Sequence, residues 1–208
     1  MNKPECSDIY NRTKAVIKTA AMSMVITLAA TGCGGGKAAE SRITVDKEGV
    51  ITNVIYDDFG EEYYELSELE NMATEEISYY NSEYDSPKVT LLDSEVTEDG
   101  IVKLSMEYNS YVDFSHFNQI TFFYGTVAEA RENGYTVNTD LYDEYGVKLS
   151  AEDLEKSEDK HVIISSEKTK IVAPYNIAYT TRNVGIKDKK EADMSAVLDD
   201  VVVLLLTK

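Results

Sequence analysis

The chain has 208 residues, 43% of them hydrophobic and 28% charged, which is the composition of a folded domain rather than a disordered one. Its 38 acids against 20 bases leave a formal charge of −18, which argues against nucleic acid as a partner, because phosphate binding needs basic patches. Two Cys cannot make a disulfide scaffold, and two His with no Trp narrow the catalytic options.

At the N-terminus, Arg12, Lys14 and Lys18 precede an uncharged run from Thr19 to Ala30. A helix needs ~20 residues to span a bilayer core of ~30 Å, so this run is too short to cross. Its length matches the apolar region of a secretory signal. Ala30-Thr31-Gly32-Cys33 follow, and then Gly34 to Gly36. This order resembles the lipobox of bacterial lipoproteins on Gly32 and Cys33, with Ala30 where that family more often has Leu. The resemblance implies cleavage before Cys33, a diacylglyceryl group on its sulfur, and a lipid anchor on the outer face of the bacterial plasma membrane. Residues 1–32 then read as a signal peptide and 33–41 as a small, polar tether. Residues 42–208 read as a single α+β extracytoplasmic domain, with 110–120 as the place where two subdomains would divide.

Beyond the tether, Ile43–Val45, the loop Asp46–Gly49 and Val50–Tyr56 predict a β-hairpin with Gly49 at the positive-φ position. Ser67 and Glu70 form a capping-box pattern, and Leu69, Met72, Ala73, Ile77, Tyr80 and Tyr84 recur at helical spacing. A helix is therefore predicted over Ser67–Tyr84. Leu69, Met72, Ile77 and Tyr80 should face a sheet, with Glu68, Glu75 and Ser78 outward, and Pro87 forbids continuation. Val89–Val96, the turn Thr97-Glu98-Asp99-Gly100 and Ile101–Tyr108 predict a second hairpin. The order β-β-α-β-β makes the class α+β: antiparallel hairpins with a packed amphipathic helix, followed by a mixed strand and short-helix C-terminal part.

In that C-terminal part, Ile120–Tyr124 predicts a strand running into Gly125 and a second capping box, Thr126 with Glu129. The helix it opens should reach about Asn133 and stop at Gly134. Ser150 and Asp153 begin a third helix, with Leu149 and Leu154 in the staple positions. His161–Ser165, Thr169–Ala173, Tyr175–Thr181 and Val201–Leu206 predict strands. The last is apolar on both alternations, which implies a central strand covered on both faces or one pairing deep in the core.

Charge is unevenly distributed. Asp57–Asp99 holds 15 acids and one base, whereas Lys160–Lys190 holds seven bases and two acids. Such a division can steer a partner, but the simpler reading is a solvated acidic surface. Glu95 to Gly100 has the oxygen spacing and glycine of a calcium loop, yet Met106 stands where the bidentate Glu is required. His116 and His161 each lack a nearby His or Cys, so no zinc spacing exists and no metal or other cofactor is expected. Asp113, Ser115 and His116 supply the letters of a hydrolytic triad within four residues. A triad is assembled in space from separated segments, and no Gly-x-Ser-x-Gly elbow is present, so no catalytic residue is assigned.

Twelve tyrosines lie between Tyr56 and Tyr145. Rings with a polar tip suit glycan or peptide contact, and Tyr63, Tyr79 and Tyr84 are the candidate ligand face. With its Ile120-Thr121-Phe122-Phe123-Tyr124-Gly125-Thr126-Val127 segment, the region after Cys33 also resembles small uncharacterised lipoproteins of Gram-positive gut bacteria, a resemblance that carries no activity with it. The expected function is a non-catalytic binding or interaction module on a lipid anchor at Cys33, meeting a protein or glycan. A solute-capture lipoprotein serving a transporter is the alternative, and a small envelope hydrolase the third.

Overall fold

The computed structural model describes residues 40–59 and 65–208. Cys33, the signal region, most of the tether and Tyr63 lie outside the described residues. The two hairpins and the helix between them form as the hydrophobic pattern predicts. β1 (Arg42–Val45) and β2 (Ile51–Asp58) pair antiparallel around Gly49, whose φ is +86°. Helix α1 (Leu66–Asn81) follows, and then β3 (Val89–Val96) and β4 (Ile101–Tyr108) pair around Gly100, with φ +72°. On α1, Ala73 and Ile77 are buried, Leu69, Met72 and Tyr80 are half-buried, and Glu68 and Glu75 are exposed. The stripe therefore faces inward, against β3.

The start and end of α1 depart from expectation. Its N-cap is Glu65, which makes no side-chain capping bond, so Ser67 and Glu70 lie inside the helix and form no capping box. Glu70 instead accepts a hydrogen bond from the Ser94 hydroxyl of β3. Tertiary contact has taken the carboxylate that a box would have used. The helix also ends at Asn81, before Tyr84. The Asn81 amide oxygen accepts from the Lys88 and Val89 N–H groups at 2.8 and 3.0 Å, and its Nδ2 donates to the Val89 carbonyl at 2.8 Å. That clamp ends the helix six residues before Pro87 and leads the chain toward β3.

Next come α2 (Tyr111–Asn118), a helix where a subdomain division is expected, β5 (Phe122–Thr126) and α3 (Val127–Glu132). The capping box of Thr126 and Glu129 is present in both directions. α4 (Ala151–Glu155) is capped by Ser150, and Leu149 and Leu154 are buried beside it. β6 (His161–Ser165), β7 (Lys170–Val172) and β8 (Ile177–Thr180) precede two short strands that sequence reading missed, β9 (Gly185–Asp188) and β10 (Glu191–Asp193). β11 (Val202–Leu206) ends the described fold.

Two sheets result. One runs β3-β4-β2-β1-β7-β10-β9, and the other β5-β6-β11-β8. β1 pairs parallel with β7, so the larger sheet is mixed rather than purely antiparallel. The smaller sheet is buried on both faces, and the period-2 alternation of its strands shows how. Phe122, Tyr124, Ile163, Val202, Leu204 and Leu206 join a core with Ile43, Ile51, Met106 and Ile171 of the larger sheet. The intervening Phe123, Val162, Ile164 and Leu205 turn to a second core with Val127, Ala130, Leu141, Leu149 and Leu154. β11 is an interior strand of this sheet, as its unbroken apolar run requires. Among the described residues no helix is long and apolar enough to cross a membrane.

Candidate functional site

Helix α2 contributes polar side chains to two places in the fold. Ser110 caps it, accepting from the Asp113 N–H at 3.2 Å and donating its hydroxyl to Asp113 Oδ2 at 2.6 Å. The helix ends at Gln119 in the left-handed region (φ +55°), and the Ser115 hydroxyl donates to the Ile120 carbonyl at 2.5 Å. Phe114 is buried in the main core, edge-on to Tyr108 and Phe122 at 4.9 Å from each. This leaves α2 with two sides that carry polar groups.

One side meets α1. Asp113 is only 6% exposed, and its Oδ1 accepts from the Tyr80 hydroxyl at 3.2 Å. The Tyr84 hydroxyl donates to that of Tyr80 at 3.3 Å, the two rings are 5.2 Å apart, and the Lys88 ammonium lies 5.7 Å from the Tyr84 ring centre. Burial first, then Tyr84 and Asp113, push the Tyr80 hydroxyl well above the ordinary tyrosine range. Tyr84 thus closes a structural network rather than standing free. Tyr79 projects from α1 at 59% exposure, on a different side of the helix from Tyr80.

The other side of α2 lines a surface cavity of about 270 Å³, bounded by Tyr111, Val112, Ser115, His116, Phe122, Asn133 and Tyr135. Two tyrosines form its aromatic walls, both resting on Phe123: Tyr111 at 4.9 Å between ring centres and Tyr135 at 5.1 Å. Tyr135 is placed by the turn after α3, where Gly134 adopts φ +84° and the Tyr135 N–H donates to the Ala130 carbonyl at 2.9 Å. Asn133 is held by its Nδ2, which donates to the Glu129 carbonyl at 2.8 Å, leaving its amide oxygen available. Burial, with Tyr135 and Glu129 nearby, holds the Tyr111 hydroxyl above its ordinary range. His116 is exposed at the rim, and its ring makes no hydrogen bond among the described residues.

The triad letters do not converge. Asp113 points to Tyr80 and Ser110, and of Ser115 and His116, which both line the cavity, Ser115 spends its hydroxyl on Ile120. His161 opens β6, the strand predicted there, which lies inside the smaller sheet. Its Nδ1 lies 2.9 Å from the Lys208 carbonyl, and its ring stacks on Tyr124 at 5.2 Å. In the calcium-like segment, Glu95 and Asp93 both pair with the Lys103 ammonium, at 3.0 and 2.6 Å. Among the described residues no group of three His, Cys, Asp or Glu side chains is placed to hold a metal ion.

Sequence reading singled out His116 but not Tyr111, Asn133 or Tyr135. The missed signal was Ser110-Tyr111-Val112-Asp113, a helix-start pattern followed by Phe114 and Phe117 at helical spacing. No protein-family model, curated protein or solved structure matches the chain.

Proposed function

We propose that this chain is an exported, lipid-anchored binding module that holds a small polar ligand in the α2 cavity without transforming it. The anchor rests on the order of basic flank, apolar run and Gly32-Cys33. Binding rests on one observation: the cavity combines aromatic walls at Tyr111 and Tyr135 with polar groups that have no protein partner among the described residues. Concave sites with apolar walls and a few convergent polar groups are where small ligands bind. Catalysis would need a tuned base with a partner, an activated nucleophile or a metal, and the lining brings His116 alone.

The test is a fragment-library screen by thermal shift on the purified full chain. Hits should lose their effect in Tyr135→Ala and His116→Ala and keep it in Tyr79→Ala. Turnover of wall or glycan substrates that disappears in His116→Ala would overturn the non-catalytic reading.

A further inference from the structure

The charge around the α2 cavity narrows the ligand class. Every lining residue is formally neutral at pH 7 with His uncharged. Three charged side chains on the neighbouring helices are committed elsewhere. Glu129 accepts from the Thr126 N–H at 2.7 Å and from its hydroxyl at 3.0 Å, Arg131 pairs with Glu158, and Asp113 faces Tyr80 and Ser110. A charged ligand would lose hydration on entering without meeting a counter-charge among the lining residues. A wholly apolar ligand fails for the opposite reason, because it would strand the Tyr111 and Tyr135 hydroxyls, the Asn133 oxygen and the His116 ring without partners.

Size narrows it further. About 270 Å³ falls below the ~300–1,000 Å³ of sites for drug-sized ligands, so the cavity has room for one ring rather than a chain of them. An uncharged ring with apolar C–H faces and hydroxyls on its rim satisfies both demands. Its faces pack on the tyrosines, and its hydroxyls reach the four polar groups. We propose that the α2 cavity, bounded by Tyr111, His116, Asn133 and Tyr135, binds a single neutral saccharide ring, such as the exposed unit of a surface glycan. This rests on the binding reading above and specifies its ligand.

The experiment is ligand-observed NMR titration of the full-length lipidated chain in detergent with four probes: glucose, N-acetylglucosamine, glucosamine and glucuronate. At least one of the first two should bind saturably below about 50 mM, and both charged sugars more weakly. Tyr135→Ala should weaken binding about tenfold, the worth of an aromatic contact, and His116→Ala by a smaller factor. Tyr135→Phe keeps the ring and loses only the hydroxyl, so its intermediate effect tests the site even if Tyr135→Ala fails to fold. Absence of saturable binding by both neutral sugars overturns the proposal. So does tighter binding of a charged one, or indifference to both Tyr135→Phe and His116→Ala. If the sugars fail while library fragments still bind in a Tyr135-dependent way, the ligand class is wrong and the binding reading stands. If both fail, both fall.

Discussion

Asp113 is the most buried acid of the described fold, and what keeps it there is local. The Ser110 and Tyr80 hydroxyls both donate to it, at 2.6 and 3.2 Å, joining the start of α2 to the end of α1. Asp113→Ala removes the acceptor of both and should cost about 1–3 kcal/mol in urea unfolding, whereas loss of a solvated acid such as Glu75 should stay within about 0.5 kcal/mol. Tyr124 presents the opposite case. It is 7% exposed, and its hydroxyl has no hydrogen-bond partner among the described residues. Tyr124→Phe should therefore hold or raise stability, by up to about 1 kcal/mol; a loss of that size would show that the hydroxyl is satisfied. Burial foremost, with Tyr175, Asp46 and Glu48 adding, pushes this hydroxyl up to about 12 from an ordinary 10.0. Between those values the unfolded chain has released the proton while the folded chain keeps it. Stability must then fall as pH rises through this window. Tyr80, Tyr108 and Tyr111 are shifted the same way. Tyrosinate absorbance in the folded protein should lag behind that of the chain in urea; coincident titrations would contradict the burial.

Among the elements, the two capping-box patterns had opposite fates, and the difference can be measured. Thr126 accepts from the Glu129 N–H at 3.1 Å, so Thr126→Ala should cost about 1 kcal/mol. Ser67 makes no cap, so Ser67→Ala should be near neutral. Equal losses would restore Ser67 as a cap. The pattern alone could not separate them, because Glu70 lies within reach of the Ser94 hydroxyl and a contact between elements is absent from a local motif. The apolar stripe of α1 survives this change, since a periodic face is set by many residues and a cap by two. The strands missed, β9 and β10, are short and polar: Gly185–Asp188 has no buried residue, and Glu191–Asp193 buries only Ala192. They exist because β7 offers an open edge to β10, and β10 to β9. No period could announce them.

For the whole molecule, the shared core decides cooperativity. Ile43 and Met106 come from the first half of the chain and Ile163 and Leu204 from the second, yet all belong to one buried cluster, with Phe114 of α2 between the halves. The expected outcome is a single unfolding transition, coincident by near-ultraviolet and far-ultraviolet dichroism, with Leu204→Ala lowering the whole of it by about 2–5 kcal/mol. Two separated transitions would support a division near 110–120. The proposed anchor belongs at this scale too. Acyl burial contributes ~0.8 kcal/mol per CH₂, so two chains hold a protein that one holds only marginally. Cys33→Ala should move the protein from the membrane fraction to the soluble one; retention after a salt wash would count against lipidation at Cys33.

The sequence by itself determined the α+β class, both hairpin turns, the inward stripe of α1 and the buried strand β11. Each follows from periods of 2 or 3.6 residues and from turn residues, which act over a few positions. Tertiary structure alone decided that β1 pairs parallel with β7, residues separated by more than a hundred positions, and so joined the first hairpin to a strand of the second half in one sheet. It alone placed Tyr111 and Tyr135 on the two sides of Phe123 and sent Tyr84 into the Tyr80–Asp113 network. A tyrosine's ring and hydroxyl suit a core edge, a polar network and a binding wall equally well, so only its neighbours in space assign it to one of them.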